Sequence, residues 1–337
     1  MRKQLLVILV IILSFVLVVS VVNSTAKEKK ITWKVATFIP KSDCDWYVTL
    51  TRVKSLVEEA SNGTIEMKIF PVGTLVDPDS LVEAVLSGAL QGAQILPGMA
   101  AHRVPSALVT EMPYGAKDLN EHHEVHTKWG LFDIMQEEYA ANNLHLLYFG
   151  TSGQIVFLST FPVNKVSDLK GKKIWTIPNV NFLAKFGASV VELPGMDAYS
   201  AVKLGTLDGF TWTMGELEFG NFKEVVDYCM QPRLATPGTH IIVNKREWDK
   251  LGSDLQRKIQ DHLLANRVDV AKEYETYDEK SIKASKEYGV QFIEMPASEI
   301  DKLKAAAAEF WVEVEGLSPA AGKAIKKYKE FLKSKGR

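Results

Sequence analysis

Few residue patterns in this 337-residue chain have the types and spacing that chemistry requires. His122-His123-Glu124-Val125-His126 sets two imidazoles one helical turn apart, as metal ligands would be. Its glutamate is out of step with the zinc-protease arrangement, so a solvated helix face is expected there. Gly150-Thr151-Ser152-Gly153 lacks the second spacer of a nucleophile elbow. With no glycine-rich phosphate loop and no paired-cysteine metal site, the sequence names no catalyst, no metal and no cofactor. What remains is recognition. Trp175 and Trp212 lie in two strand-like runs, and each indole offers a broad apolar face with a single N–H donor. Glu216, just past the second run, either offers an acceptor to the same place or simply favours a helix start.

The elements that would position these side chains follow an alternating pattern. Strand-like runs at 174–177, 189–192 and 209–213 are separated by helical patterns near 180–186 and 196–204, which favours a parallel sheet. Ligands of open α/β sheets sit beyond the carboxyl ends of the strands. Trp175 and Trp212 are therefore expected to face one crevice. Upstream, 32–38, 64–70 and 94–96 read as strands. Helices between them start at a Ser42/Asp45 capping box and at Asp77-Pro78, giving half of a doubly wound domain. A helical stretch over 118–139 then leads to a strand at 144–149.

Two breaks interrupt this rhythm, Gly150-Thr151-Ser152-Gly153 and Pro237-Gly238. A chain that leaves one lobe and re-enters it makes two connecting strands, and two such strands form a hinge. The expected organisation is 27–150 as the first part of lobe 1, 151–237 as lobe 2, 238–289 as a return to lobe 1, and 290–337 as a terminal strand and helices. Residues 253–288 contain neither proline nor glycine. Leu255, Ile259, Leu263, Val270, Tyr274 and Tyr277 recur there at helical spacing, so a single helix of roughly 50 Å is expected, the alternative being two shorter helices with an unmarked break.

The composition, 46% hydrophobic and 24% charged with a net charge of -1, describes a globular protein and asks for no nucleic acid. The amino terminus differs. Arg2 and Lys3 precede an apolar run from Leu5 to Val22 broken only by Ser14 and Ser20, and Ser24-Thr25-Ala26 supplies small residues for an export peptidase. Residues 1–26 thus read as a signal peptide cleaved after Ala26, or as an anchor, since the run can cross a bilayer of ~30 Å. In either case the body faces outward. Cys44 and Cys229 then lie in a space that permits disulfides, and they either pair or stay free.

Several central motifs carry a family resemblance. Residues Ser167 through Gly171, Ala188-Ser189-Val190-Val191, Tyr199 through Gly205 and Leu207-Asp208-Gly209 resemble the solute-binding proteins of TRAP transporters, the tripartite ATP-independent periplasmic systems. The likeness runs over about 32–289. Leu193-Pro194-Gly195, Trp212 and Pro237-Gly238-Thr239 are most similar to the branch that binds 2-oxo acids. The resemblance implies an α/β, two-lobed periplasmic-binding-protein-like fold of type II-like form, with hinge strands and a long helix bracing both lobes. It implies a receptor without enzymatic activity that captures a small organic ligand and delivers it to TRAP membrane subunits driven by an ion gradient. Homodimers, found in some members of that branch, are a further expectation. The alternative reading is a membrane-tethered ligand-sensing module for a receptor kinase or chemoreceptor.

The same resemblance marks departures. Trp175 stands where the family carries an arginine that forks onto a ligand carboxylate, and an indole cannot replace that charge. Thr211 replaces an acidic residue implicated in holding a cation against the ligand, which disfavours a metal bridge. Gln154 coincides with a ligand-facing glutamine. Arg233, Arg103 and His240 are the cations left to reach a carboxylate. Trp46, Met99, Trp175, Phe182 and Trp212 suggest an apolar lining. The expected ligand is neutral, or carries one weak acid group on an apolar or aromatic body.

Overall fold

The computed structural model describes residues 30–41, 45–151 and 153–337. Residues 1–26, expected as an export signal or anchor, and Ser42, Cys44 and Ser152 lie outside the described residues. Two sheets organise the chain. The first has the order β2-β1-β3-β10-β4, built from β1 (Ile31–Thr37), β2 (Ile65–Phe70), β3 (Gly92–Ile95), β4 (Leu144–Thr151) and β10 (Gly238–Asn244). β1 pairs in parallel with β2 and β3, whereas β10 runs antiparallel to β3 and β4. The second sheet has the order β11-β9-β5-β8-β6-β7. It is built from β5 (Ile155–Ser159), β6 (Lys173–Trp175), β7 (Ser189–Val190), β8 (Gly209–Thr213), β9 (Tyr228–Ala235) and β11 (Gln291–Glu294). The expected parallel unit is there, with β6 parallel to both β7 and β8. The strands added on its other side, β5 and β9, run antiparallel to their neighbours β8 and β5, so the sheet is mixed.

The chain crosses between the sheets at two adjacent places. β4 ends at Thr151 and β5 begins at Ile155, while β9 ends at Ala235 and β10 begins at Gly238. Thr151 pairs with Gly238, and Ile155 pairs with Ala235. A third passage places β11 against β9 in the second sheet.

Helices α1 (Asp45–Ala60), α2 (Leu81–Ser87), α3 (Leu119–Thr127) and α4 (Leu131–Ala141) surround the first sheet. The stretch expected as one helix over 118–139 is thus two. Gly130 takes a left-handed conformation with φ 76° between them, where a side chain would be strained. Short helices α5 (Ala198–Lys203) and α6 (Glu216–Phe219) belong to the second lobe.

Helix α7 (Ser253–Tyr288) is a single 36-residue helix ended by Gly289 in the left-handed region. Its Ile259, Leu263 and Val270 pack with Leu50 and Val53 of α1 and Trp33 and Val35 of β1. Further along, Ser281 Oγ donates to the Met214 carbonyl at 2.7 Å and accepts from the Glu218 N–H at 3.1 Å. One rigid rod is therefore bonded to both lobes. The last two helices, α8 (Ala297–Leu317) and α9 (Pro319–Ser334), pack on each other. Leu303 of α8 enters a core on one face of the second sheet, and Tyr328 and Phe331 of α9 enter the first lobe's core. No helix among the described residues is long and apolar enough to cross a membrane.

Candidate ligand-binding cleft

The carboxyl ends of β1, β3 and β4 lie on the same edge of the first sheet, as the register of β10 against β3 and β4 requires. Those of β6 and β8 do the same in the second sheet. The two crossings join these edges, so the space between the lobes opens onto strand ends, where α/β folds hold ligands.

Trp175 and Trp212 are brought together. Their ring centroids lie 5.4 Å apart at an interplanar angle of 37°, and an aromatic pair of this kind contributes about 0.5–1.5 kcal/mol beyond its area. Trp175 Nε1 donates to the Leu193 carbonyl at 3.1 Å, so its single donor is used within the protein. A Cβ added at Gly195 would sit 3.0–3.1 Å from both indoles. The Leu193-Pro194-Gly195 turn therefore lies tightly against the pair, and only a residue without a side chain lets it do so. Trp212 is buried and Trp175 half-buried.

Strand alternation divides the other second-lobe residues. Phe210 and Trp212 of β8 join the core on one face. Thr211 points to the other, fully buried, and its Oγ1 accepts from the Ile177 N–H at 2.8 Å. Its hydroxyl thus holds the segment leaving β6. Phe182 belongs to the opposite-face core from the indoles and packs at 6.2 Å from Tyr114. Gln154 is half-buried, and its carbonyl accepts from Met214 N–H at 2.8 Å, tying the first crossing to the end of β8. Glu216 is half-buried with its carboxylate beside Gly220, where an added Cβ would meet Oε2 at 2.6 Å.

In the first lobe, Trp46 is buried edge-on to Phe38 at 5.5 Å. Gln94 anchors it, donating to the Trp46 carbonyl at 2.7 Å and to Thr239 Oγ1 at 3.3 Å while accepting from Thr37 Oγ1 at 2.8 Å. Phe38 and Met99 pack on the same core. Among the described residues, the ring contacts keep Trp46 with Phe38 and Trp175 with Trp212 and do not join the two groups.

Two of the three candidate cations are occupied elsewhere, and the third lines a separate cavity. Arg103 is paired with Glu83 at 2.8 Å on the surface. His240 is fully buried between Thr110 Oγ1 and Tyr139 Oη, both at 2.8 Å, and burial pushes it down to about 3, so it is neutral. Arg233 donates to the Ala116 carbonyl at 3.0 Å. It lines a cavity of about 350 Å³ with Tyr114, Lys117, Ile300, Lys304 and Arg337.

The solvated histidine face expected on 122–126 is corrected by the structure. His122 and His126 are buried. His122 Nε2 donates to the Thr110 carbonyl at 2.8 Å, and its Nδ1 accepts from Arg267 Nη2 at 2.7 Å. His126 Nδ1 donates to the His122 carbonyl at 2.7 Å. Burial holds both imidazoles well below their ordinary range. The helix turns this face inward because a buried guanidinium on α7 needs acceptors. No group of three or more His, Cys, Asp or Glu among the described residues is arranged to hold a metal.

Two polar residues at the junction of the lobes carry no motif. Glu111, in a short 3-10 helix over Pro105–Glu111, is buried and accepts from the Gly238 N–H. Asn179 follows β6, and its Nδ2 donates across the lobes to the Glu111 carbonyl at 2.8 Å. The one sequence signal was an acid inside the apolar run Leu108-Val109-Thr110-Glu111-Met112-Pro113.

Comparison with known proteins agrees with this geometry. The family model described as "Bacterial extracellular solute-binding protein, family 7" matches residues 38–316. The ectoine/5-hydroxyectoine-binding periplasmic protein UehA of Ruegeria pomeroyi is 27% identical over 213 residues, 62% of this chain and 63% of its own length. The monocarboxylate 2-oxoacid-binding periplasmic protein all3028 of Nostoc is 24% identical over 258 residues, 74% of this chain and 70% of its own. A crystal structure of a TRAP periplasmic solute-binding protein from Desulfovibrio salexigens, with bound orotic acid, superposes with a TM-score of 0.80. It shares 21% identity and covers 90% of this chain and 98% of that one. These relatives give the sensing-module alternative no support. The chain belongs to the family 7 bacterial extracellular solute-binding proteins, the solute receptors of TRAP transporters.

Proposed function

We propose that the chain captures a small organic solute between its lobes and presents the closed form to TRAP membrane subunits. The observation that carries this is the pair of adjacent crossings, Thr151 with Gly238 and Ile155 with Ala235, beside a helix bonded to both lobes. Paired crossing strands bend together, and the rod sets the axis about which they do so. Closure is stabilised only by the ligand's differential affinity for the closed state, so contacts from both lobes provide selectivity. The protein performs no chemistry in this reading.

We assign the ligand-facing lining to the Trp175–Trp212 pair with Gln154 and Glu216 in the second lobe, and to Trp46 and Met99 in the first. Phe182 and Thr211 support the segment between β6 and the lobe junction. The solute has an apolar or aromatic body, because Arg103 is paired with Glu83, His240 is neutral and the assigned lining contains no lysine or arginine. The bending points are 150–153 and 237–238. Export by residues 1–26, cleaved or retained, is part of the same proposal, and the mass of the mature amino terminus reads which. Light scattering reads whether the receptor pairs with a second copy. The decisive experiment is mass spectrometry of any small molecule that co-purifies with the protein, followed by isothermal titration. Co-purification of an aromatic or apolar solute that binds with one-to-one stoichiometry is expected. A pyruvate-sized anion as the sole tight ligand refutes the assigned lining.

A further inference from the structure

The lobe junction holds an unusual set of acceptors. Glu111 is buried, and among the described residues only the Gly238 N–H acts on its carboxyl besides burial, with no cation acting on it. Burial pushes that carboxyl up to about 8. Its titratable neighbours supply no charge, since Tyr139 is held protonated by burial and His240 is neutral. Asn179, 1% exposed, keeps Nδ2 on the Glu111 carbonyl and leaves Oδ1 without a partner among the described residues. Buried polar atoms in native proteins are nearly always paired, so an orphaned one at a ligand cleft points to the ligand.

Two further orphans lie at neighbouring strand ends. Thr151 Oγ1, at the end of β4 and opposite Gly238, and Thr213 Oγ1, at the end of β8 and opposite Ile155, are buried without partners among the described residues. Asn179 is four residues beyond Trp175, within about 14 Å along the chain.

Resting on the receptor reading above, we propose that the solute presents a protonated nitrogen to the Glu111 carboxylate and the Asn179 Oδ1, so that the cleft selects amines rather than simple carboxylates. The ammonium supplies donors to the Asn179 Oδ1, which has none among the described residues, and to the Glu111 carboxylate. It also neutralises a carboxylate that has no other counter-charge. Because Glu111 closes on Gly238 in one lobe and Asn179 belongs to the other, a nitrogen held by both favours the closed form.

The test measures melting temperature and titration heats for 2-amino-1-propanol and tryptamine against pyruvate and indole-3-propionate. Stabilisation by an amine, with neither acid binding, is expected. At pH 7, titration in phosphate and in Tris should show up to one proton released per amine bound, as the ammonium displaces the proton of Glu111. Glu111→Gln should lower amine affinity tenfold or more and abolish that release. Asn179→Leu, which keeps Glu111, should weaken binding while retaining proton release, and it serves if the first variant does not fold. Binding of the acids alone overturns the inference and leaves the receptor reading intact. If neither set binds, the inference also falls, and the co-purified solute then decides the receptor reading by itself.

Discussion

Arg267 Nη2 donates to His122 Nδ1 across 2.7 Å, joining α7 to α3 through a buried guanidinium that has no carboxylate partner among the described residues. Arg267 Nε also donates to the Phe149 carbonyl at 2.8 Å, its Nη1 reaches His123 Nδ1 at 3.2 Å, and its planar group lies 3.9 Å from the Phe149 ring centroid. Burial pushes it down to about 10, still protonated at neutral pH. Neutral imidazoles and an aromatic face substitute for a counter-ion just before the first crossing. His122→Phe removes an acceptor from this charge and should cost about 1.5–3 kcal/mol. Urea denaturation measures it, and an unchanged midpoint would show that the bond contributes nothing.

The pH profile of stability has two opposed limbs. Glu111 is raised from 4.5 to about 8, so the folded state binds its proton more tightly, and this stability is lost as pH rises from 4.5 through 8. His240, lowered from 6.5 to about 3, contributes stability that is lost as pH falls below 6.5, and His122 and His126 act in the same direction. Above pH 6.5 only the Glu111 limb operates among these groups. Melting temperatures of the ligand-free protein should therefore decline between pH 6.5 and 8.5, and Glu111→Gln should flatten that decline.

Trp175→Phe keeps an aromatic ring against Trp212 but loses the donor to Leu193. A net loss of about 1 kcal/mol is expected. Gly195→Ala drives a methyl into both indoles and should perturb near-ultraviolet circular dichroism and weaken solute binding. Wild-type spectra and affinity in this variant would separate the turn from the site.

Cys229 is buried, with its thiol pushed up to about 12 by desolvation. It should resist a thiol reagent at pH 8 in the native protein and react fully in denaturant. Rapid native labelling would contradict its place in the core between β9 and the helices of the second lobe.

Much of the architecture was legible because it rests on local pattern. Periodicity without breakers predicted α7 over its full 253–288 span, and the 209–213 strand appears with the same bounds. Central motifs led to the family and to the neighbourhood of Trp175 and Trp212. The strands β5 and β10 were not marked because each is buried along its whole length and shows little alternation of apolar and polar residues, and β9 was not marked because its half-buried centre, Gln231-Pro232-Arg233, interrupts the strand pattern.

The site divides along the same line. Residue type alone established that Trp175 cannot serve as a cationic fork. Only tertiary packing decided that its N–H is spent on Leu193, that His122 faces inward to receive Arg267, and that Glu111 and Asn179 meet across the lobes. The physical reason is range. Periodicity and turn chemistry act over a few neighbouring residues, whereas the state of a buried polar group is set by partners far along the chain: 145 positions for Arg267 and His122, and 68 for Asn179 and Glu111.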